Sequence, residues 1–349
     1  MNAVYRSYGP LLGTIILLGV AVWTLAMIIG PQVFMIEQSL WRLEQPDSAV
    51  TAGMRIEELN NALSLAQYDL GTLEGATEPD KVAEREKLAR SVSEMEQELS
   101  TLQGQDTAPV KVYTIGNYTE MSGYHAEIFV KTIGASLLVT LIAFAVCYPV
   151  AYAAAKLAKP QRAALILLGL VIPYAINELL RVFAWLMILD YQGVANSVLL
   201  WLGLPEPIRF LDSGIGVFVA MVYAYVLFMV FPIYNTIETL DSNQIEAARD
   251  LGASTWKIHT RVVLPHAKPG IAVGSIMTFM LSAGSFSVPH IMTRGTAQPW
   301  FSQLIYSKFY DSFYWNQGAA YAFTLLLVCV AFIIIMMKVF KVGIRDIAK

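Results

Sequence analysis

The chain has 349 residues, of which 56% are hydrophobic and only 15% charged, and its mean hydropathy is +0.52. Soluble domains carry about a quarter charged residues, so the composition excludes a cytosolic globular enzyme, and the long apolar runs make the expected class an all-α membrane protein. The net charge of −3 hides an asymmetry: residues 37–125 hold sixteen Asp and Glu against seven Lys and Arg, which gives −9 there and +6 on the remainder.

A helix that crosses a bilayer needs about 20 mostly apolar residues. Six such runs are present, at about 11–36, 128–155, 163–189, 215–239, 270–292 and 318–340. The first follows Arg6 and has the look of a signal peptide, but no small-residue cleavage site follows it, so it is expected to remain as an anchor. The chain divides accordingly into a first spanning helix (1–36), an acidic insertion (37–125) and a five-helix core (126–349) with a long internal loop at 240–269. Lys156, Lys159 and Arg162 follow the second run; Arg249, Lys257, Arg261 and Lys268 follow the fourth; Lys338, Lys341, Arg345 and Lys349 follow the sixth. The positive-inside rule puts these loops and both termini in the cytoplasm, and so puts the insertion outside.

Within the insertion, Ile56, Leu59, Leu63, Ala66, Leu70 and Leu73 recur at alternating steps of three and four, as do Leu88, Val92, Met95, Leu99 and Leu102. This is a heptad seam on each of two helices and predicts a coiled-coil-like antiparallel hairpin. Thr77, Pro79 and Asp80 mark the start of its second arm.

In the third run, Asn177, Glu178 and Arg181 lie in apolar sequence, where a lone charge is costly. Glu178 and Arg181, three residues apart, fit a neutralising pair on one helix face or a polar lining for a path. In the fifth run, Ser282, Ser285, Ser287 and His290 surround Phe286 and Pro289, and Pro289 is expected to break the helix there. Gly270 and Gly274 form a small-residue pair suited to close helix packing. Cys147 and Cys329 suggest neither a disulfide nor a metal site. There is no P-loop, HExxH or GxSxG motif.

Residues 240–269 read LDSNQIEAARDLGASTWKIHTRVVLPHAKP. Asp241 caps a first helix with Gln244 behind it, Ile245, Ala248 and Leu251 share an apolar face, and Gly252 supplies a left-handed stop. Ser254 starts a second helix through Trp256, Ile258 and Val262, ending ahead of Pro265.

Glu246-Ala247-Ala248, then Gly252, then Val262-Val263-Leu264-Pro265 resembles the EAA motif of binding-protein-dependent ABC importer permeases, with Val262 where the family usually has Ile. The resemblance covers most of 128–349. Pro173, Arg181, Phe183, Ala184 and Trp185, with Trp315, Gly318, Ala319 and Ala320, are similar to the polyamine-type subunits. Ser285 stands where those subunits often carry an acid, and the insertion is larger than theirs.

The resemblance implies a transport subunit with no enzymatic activity and no cofactor of its own. Its partners would be ATP-binding subunits that hold Mg-ATP, a second permease subunit and an extracytoplasmic binding protein, and nucleic acid would have no part. The protein would sit in the bacterial inner membrane and carry a small organic cation such as a polyamine. Glu246, Ala247, Ala248, Gly252, Leu264 and Pro265 would couple it to the ATPase. Asn177, Glu178, Arg181, Trp185, Ser285, Phe286 and His290 are the candidates for the substrate path. A receptor or anchor that presents the hairpin, or a channel, are the competing readings; the channel leaves the structured 241–265 loop without a purpose.

Overall fold

The computed structural model describes residues 2–44, 47–72, 79–103, 109–293 and 299–343. They are almost entirely helical and form two compact units, one of residues 1–39 with 116–349 and the other of residues 40–115.

In the larger unit, α1 comprises Asn2–Trp23, a π turn at Thr24–Ile29 and Gly30–Ser39. Gly9, at φ 76°, kinks it ahead of Pro10, so the long apolar helix is Tyr8–Ser39. Its far end is pinned by side chains: the Asn117 and Asn316 amides donate to the Ser39 and Gln38 carbonyls, at 2.9 and 2.8 Å.

The smaller unit begins and ends in an antiparallel ribbon of β1 (Trp41–Glu44) and β2 (Val110–Tyr113), with Trp41 opposite Tyr113 and Glu44 opposite Val110. The sequence periodicity gives no hint of this ribbon, because four-residue strands are too short to show a period. Between the strands run α2 (Asp47–Thr72) and α3 (Pro79–Gln103). Leu59 is buried, and Ile56, Leu63, Ala66, Leu70, Leu88, Val92, Met95, Leu99 and Leu102 are half-buried, while the described positions between them are exposed. Burial therefore follows the heptad steps. Arg55 links the arms through Glu98, with Nε to Oε1 at 2.9 Å, and hydrogen bonds to Glu98 and Glu58 raise its pKa above the ordinary value. Leu73 and Thr77 lie outside the described residues.

The core continues with α4 (Gly123–Leu157), capped by Ser122, whose hydroxyl accepts the His125 N–H. Then come α5 (Pro160–Val171), a 3-10 turn (Ile172–Ala175), α6 (Glu178–Ile188), α7 (Val194–Trp201) and α8 (Ile215–Glu238). A short α9 (Ser242–Asp250) precedes α10, which is Thr255–Ile258, a π turn at His259–Val263 and Leu264–Ala283. The last helices are α11 (Ser287–Met292), α12 (Phe301–Tyr310) and α13 (Trp315–Phe340).

Among the described residues, four helices are long and apolar enough to cross a membrane: Tyr8–Ser39, Gly123–Leu157, Ile215–Glu238 and Trp315–Phe340. The bent pair Pro160–Ala175 and Glu178–Ile188 makes a fifth. The expected third run is therefore not one helix but two, meeting at 99°. The expected fifth run is also divided. Its helix ends at Ala283 and a second starts at Ser287, so the break falls at Gly284–Phe286 rather than at Pro289, which sits in the first turn of α11 where its missing N–H has no intrahelical acceptor to serve.

Helices α8 and α10 cross closely. A Cβ on Gly270 would lie 2.2 Å from the Pro232 carbonyl oxygen, and one on Gly274 3.0 Å from the Met229 sulfur. The glycine pair thus sets how closely two helices approach, as the sequence suggested. Both cysteines are buried and free.

Candidate functional site

The loop between α8 and α10 is built by local rules. Asp241 caps α9, its Oδ1 accepting the Asn243 N–H at 2.9 Å. At the other end the Gly252 N–H donates to the Arg249 carbonyl (2.9 Å) and the Ala253 N–H to the Ala248 carbonyl (3.0 Å), with Gly252 at φ 76°. These two bonds with a left-handed glycine make a Schellman stop. Space around Gly252 is open, so backbone conformation and not crowding requires glycine. Ser254 caps the next helix, accepting the Lys257 N–H.

That helix does not end ahead of Pro265. The Leu264 N–H reaches back five residues to the His259 carbonyl, forming the π turn that carries the chain into Pro265 without a break, and α10 runs on to Ala283. A widened turn relieves the clash that proline makes with the preceding turn.

One side of the loop is buried against the molecule itself: Ile245, Ile258 and Val263 join Cys147, Ile233, Ile237 and Ala267 in one apolar cluster, with Ala248 and Leu264 packed against it. The other side is open. Glu246, Ala247, Gly252 and Pro265 are exposed, and so are Leu251 at 88% and Trp256 at 77%. Leu251 is therefore not on the packed face with Ile245 and Ala248. Glu246 is the fifth residue of α9, past its first turn. Of the six residues assigned to coupling, Ala248 and Leu264 support the loop from within, and the other four face out. Leu251 and Trp256 were missed as exposed residues. Their signal was only that Gly252 reverses the chain between them.

The second group of residues gathers at the two breaks in the core. Pro173 and the 3-10 turn end α5, Ile176 is extended, and Asn177 caps α6, its Oδ1 accepting the Leu179 N–H at 2.9 Å. The Ser287 hydroxyl donates to Glu178 Oε1 at 3.1 Å, joining the start of α6 to the start of α11. Glu178 and Arg181 do not pair. The Arg181 guanidinium lies over the Tyr174 ring, 4.1 Å from its centroid, and its buried Nε and Nη1 have no hydrogen-bond acceptor among the described residues. Phe286 stacks on His290 at 5.1 Å and meets Tyr306 at 4.6 Å. Ser285 is buried, and its carbonyl accepts the Ser302 hydroxyl at 2.5 Å. Trp185 is one further turn along α6 from Arg181. It packs edge-on against Tyr223 and lines an apolar cavity of about 770 Å³ with Pro173, Tyr174 and Phe218. Thus Asn177, Glu178, Ser285, Phe286 and His290 belong to the two breaks, and Glu178 also joins Arg181 and Trp185 in lining a small cleft against Ala220, Tyr223 and Ala224 of α8. Ser287, Tyr306 and Tyr174 complete these contacts and were not assigned to the path from sequence. No group of His, Cys, Asp and Glu suited to a metal ion occurs among the described residues.

The profile of the family described as "Binding-protein-dependent transport system inner membrane component" matches residues 148–342, more than half the chain. The chain belongs to that family. The binding-protein-dependent inner membrane component so recognised is 34% identical over 232 residues to the spermidine/putrescine transport system permease protein PotB of Escherichia coli K12, covering 66% of this chain and 84% of PotB. It is 36% identical over 66 residues to PotC of the same organism, covering 19% of this chain and 25% of PotC. In fold it matches a chain of the crystal structure of a bacterial alginate ABC transporter in complex with an alginate pentasaccharide-bound periplasmic protein, with a TM-score of 0.54, 17% identity, and coverage of 67% of this chain and 85% of that one. It is a multi-pass inner membrane protein, a permease subunit of a binding-protein-dependent importer. Subunits of this kind are not themselves enzymes.

Proposed function

We propose that this permease carries a polyamine, or a similar small organic cation, into the cell. The observation that carries the reading is the 34% identity to PotB, which extends over 84% of that protein. Mg-ATP is held by separate ATPase subunits, and this chain takes no cofactor. A related permease, as the stretch similar to PotC suggests, and an extracytoplasmic binding protein complete the complex.

In this reading the chain crosses the membrane six times, with α10 and α11 together as the fifth crossing. Both termini and the loop 240–269 are cytoplasmic, and the three-part division 1–36, 37–125 and 126–349 separates anchor, extracytoplasmic hairpin and core. The exposed edge of the Schellman turn, with Glu246, Ala247, Leu251, Gly252 and Trp256, docks on the ATPase; a short turn flanked by two exposed apolar side chains is a surface that gains by being covered. Asn177, Glu178, Ser285, Phe286 and His290 border the path, since interrupted helices and intramembrane charge are tolerated where backbone and side chains meet protein or a water-filled cavity. The hairpin meets the binding protein or the partner permease.

The test is purification of the chain with its partners and uptake of labelled putrescine or spermidine by the reconstituted complex. Co-purification of an ATPase with polyamine uptake is the expected result. Uptake of a neutral or anionic solute and not of a polyamine overturns the cation assignment.

A further inference from the structure

Three residues on one face of α4 grip both ends of the loop between α8 and α10. The Tyr148 hydroxyl and His259 Nδ1 share a hydrogen bond of 2.7 Å. Tyr152, one turn on, sets its ring edge against the same imidazole at a centroid distance of 4.5 Å. Lys156, a further four residues along, donates to the Glu238 carbonyl at 3.2 Å and to the Leu240 carbonyl. His259 opens the π turn that follows the exposed edge of the loop, and Glu238 and Leu240 are the last residues before it. One span therefore holds the loop at its entry and at its exit.

The chemistry of the grip is directional. Carbonyls at the end of α8 have no intrahelical donors, and a lysine ammonium is suited to satisfy two of them at once. The imidazole shares a hydrogen bond with one side chain of α4 and an edge-to-face contact with another, so it cannot shift along α4 without losing both. All three residues are half-buried, and the apolar cluster beneath them includes Ala143, Cys147 and Ala151 of α4 with Ile258 and Val263 of the loop.

We infer that Tyr148 and His259 are positioning residues that transmit movement of the loop to α4, with Tyr152 and Lys156 keeping the loop in register on that helix. The inference rests on the proposed docking of the loop on the ATPase. In it, a displacement at Leu251 and Trp256 becomes a displacement of α4 and not a local bending of the turn.

The experiment uses the complete reconstituted complex and measures ATP hydrolysed per solute carried. Tyr148→Phe keeps the ring and its contact with Phe144 and removes only the hydroxyl. Expected is near-normal hydrolysis with uptake reduced about fivefold, the scale of one hydrogen bond, so that the ratio rises about fivefold. Tyr148→Phe combined with His259→Phe should be no worse than the poorer single variant, because the two changes remove one bond. His259→Gln, which keeps an amide partner for the hydroxyl, should bring the ratio part of the way back down from its raised value in His259→Phe. If uptake and hydrolysis fall in proportion, or if the two changes add, the joint is overturned. Glu246→Lys is run beside them: normal uptake in that variant refutes the docking of the loop, whereas lost uptake there with an unchanged ratio in Tyr148→Phe refutes the joint alone.

Discussion

Helices stop in two very different settings in this molecule. At the loop between α8 and α10 the interruption is polar, capped at Asp241 and Ser254 and closed by a left-handed glycine at Gly252. At the two breaks in the core, around Ile176–Asn177 and Gly284–Phe286, the interruptions lie within apolar sequence; the Ser287 hydroxyl joins one to the other through Glu178, and the Ser285 carbonyl is met by the Ser302 hydroxyl of α12. The first kind of stop is open to a partner outside the chain. The second kind holds two broken helices together, and its few hydrogen bonds are the ones that must change if those helices move apart.

The largest effect is expected at the loop. Gly252→Val places a β-branched residue at φ 76°, where even an ordinary side chain costs about 1–2 kcal/mol. Because nothing lies within 4 Å of the missing Cβ, the rest of the fold has no reason to suffer. Membrane insertion and melting temperature should stay close to wild type while uptake is abolished. Glu246→Lys should do the same without strain, by reversing an exposed charge. Unchanged uptake in both variants would remove the contrast between the two kinds of stop.

Next in size is removal of residues 50–106. The β1–β2 ribbon pairs Glu44 with Val110 and lies outside the deleted segment, so the two ends remain close enough to join. Assembly with the ATPase should persist and uptake should fall several-fold; full uptake after the deletion would show the hairpin to be a spacer.

Asn177→Ala sharpens the comparison from the other side. Loss of a helix cap costs about 1 kcal/mol, and here the cap also fixes where Glu178 begins α6. Uptake should drop about fivefold on that figure, with a small fall in melting temperature. Asn177→Asp or Asn177→Ser, which keep an acceptor, should recover most of it. No recovery would mean that the amide serves something other than the cap.

How much of this could be read in the sequence depends on whether a signal had to compete with hydrophobicity. The hairpin seam was legible because Ile56 and Leu59 stand out against Arg55, Glu57, Glu58 and Asn60, and burial follows their spacing. Asp241, Gly252 and Ser254 were legible because caps in a polar loop have nothing to obscure them. The same cap chemistry was present in Pro-Tyr-Ala-Ile-Asn-Glu at 173–178, where an Asn precedes a Glu at a helix start. A continuous apolar run hid it, and one span was expected where two helices meet at 99°. Pro289 misled for the opposite reason. Proline is tolerated in a first turn, and the helix had already ended at Gly284 in a segment whose only marks were a glycine and a serine. The exposure of Leu251 and Trp256 was illegible because it depends on the direction of a turn and not on a period.

The smallest effect is expected from Glu178→Gln, and its smallness is informative. A carboxylate and an ammonium ion at about 4 Å attract by roughly 4 kcal/mol at a surface-like dielectric. Desolvation of both groups removes much of that. Glu178 already accepts the Ser287 hydroxyl, and a glutamine carbonyl can accept it equally, so the join between α6 and α11 should survive the change. Arg181 is not paired with Glu178, and its charge remains nearby over Tyr174, opposing any cation that approaches. The net gain from one carboxylate beside one guanidinium is therefore small, and polyamine uptake should fall only about threefold, with affinity residing mainly in the binding protein. Ser287→Ala separates the two roles of the acid. It leaves the charge in place and removes the join, so it should cost more than Glu178→Gln if the contact between the broken helices matters to transport. A loss above tenfold in Glu178→Gln, greater for spermidine than for putrescine, would show instead that the charge itself selects the substrate, and that the core break recognises cargo as well as joining helices.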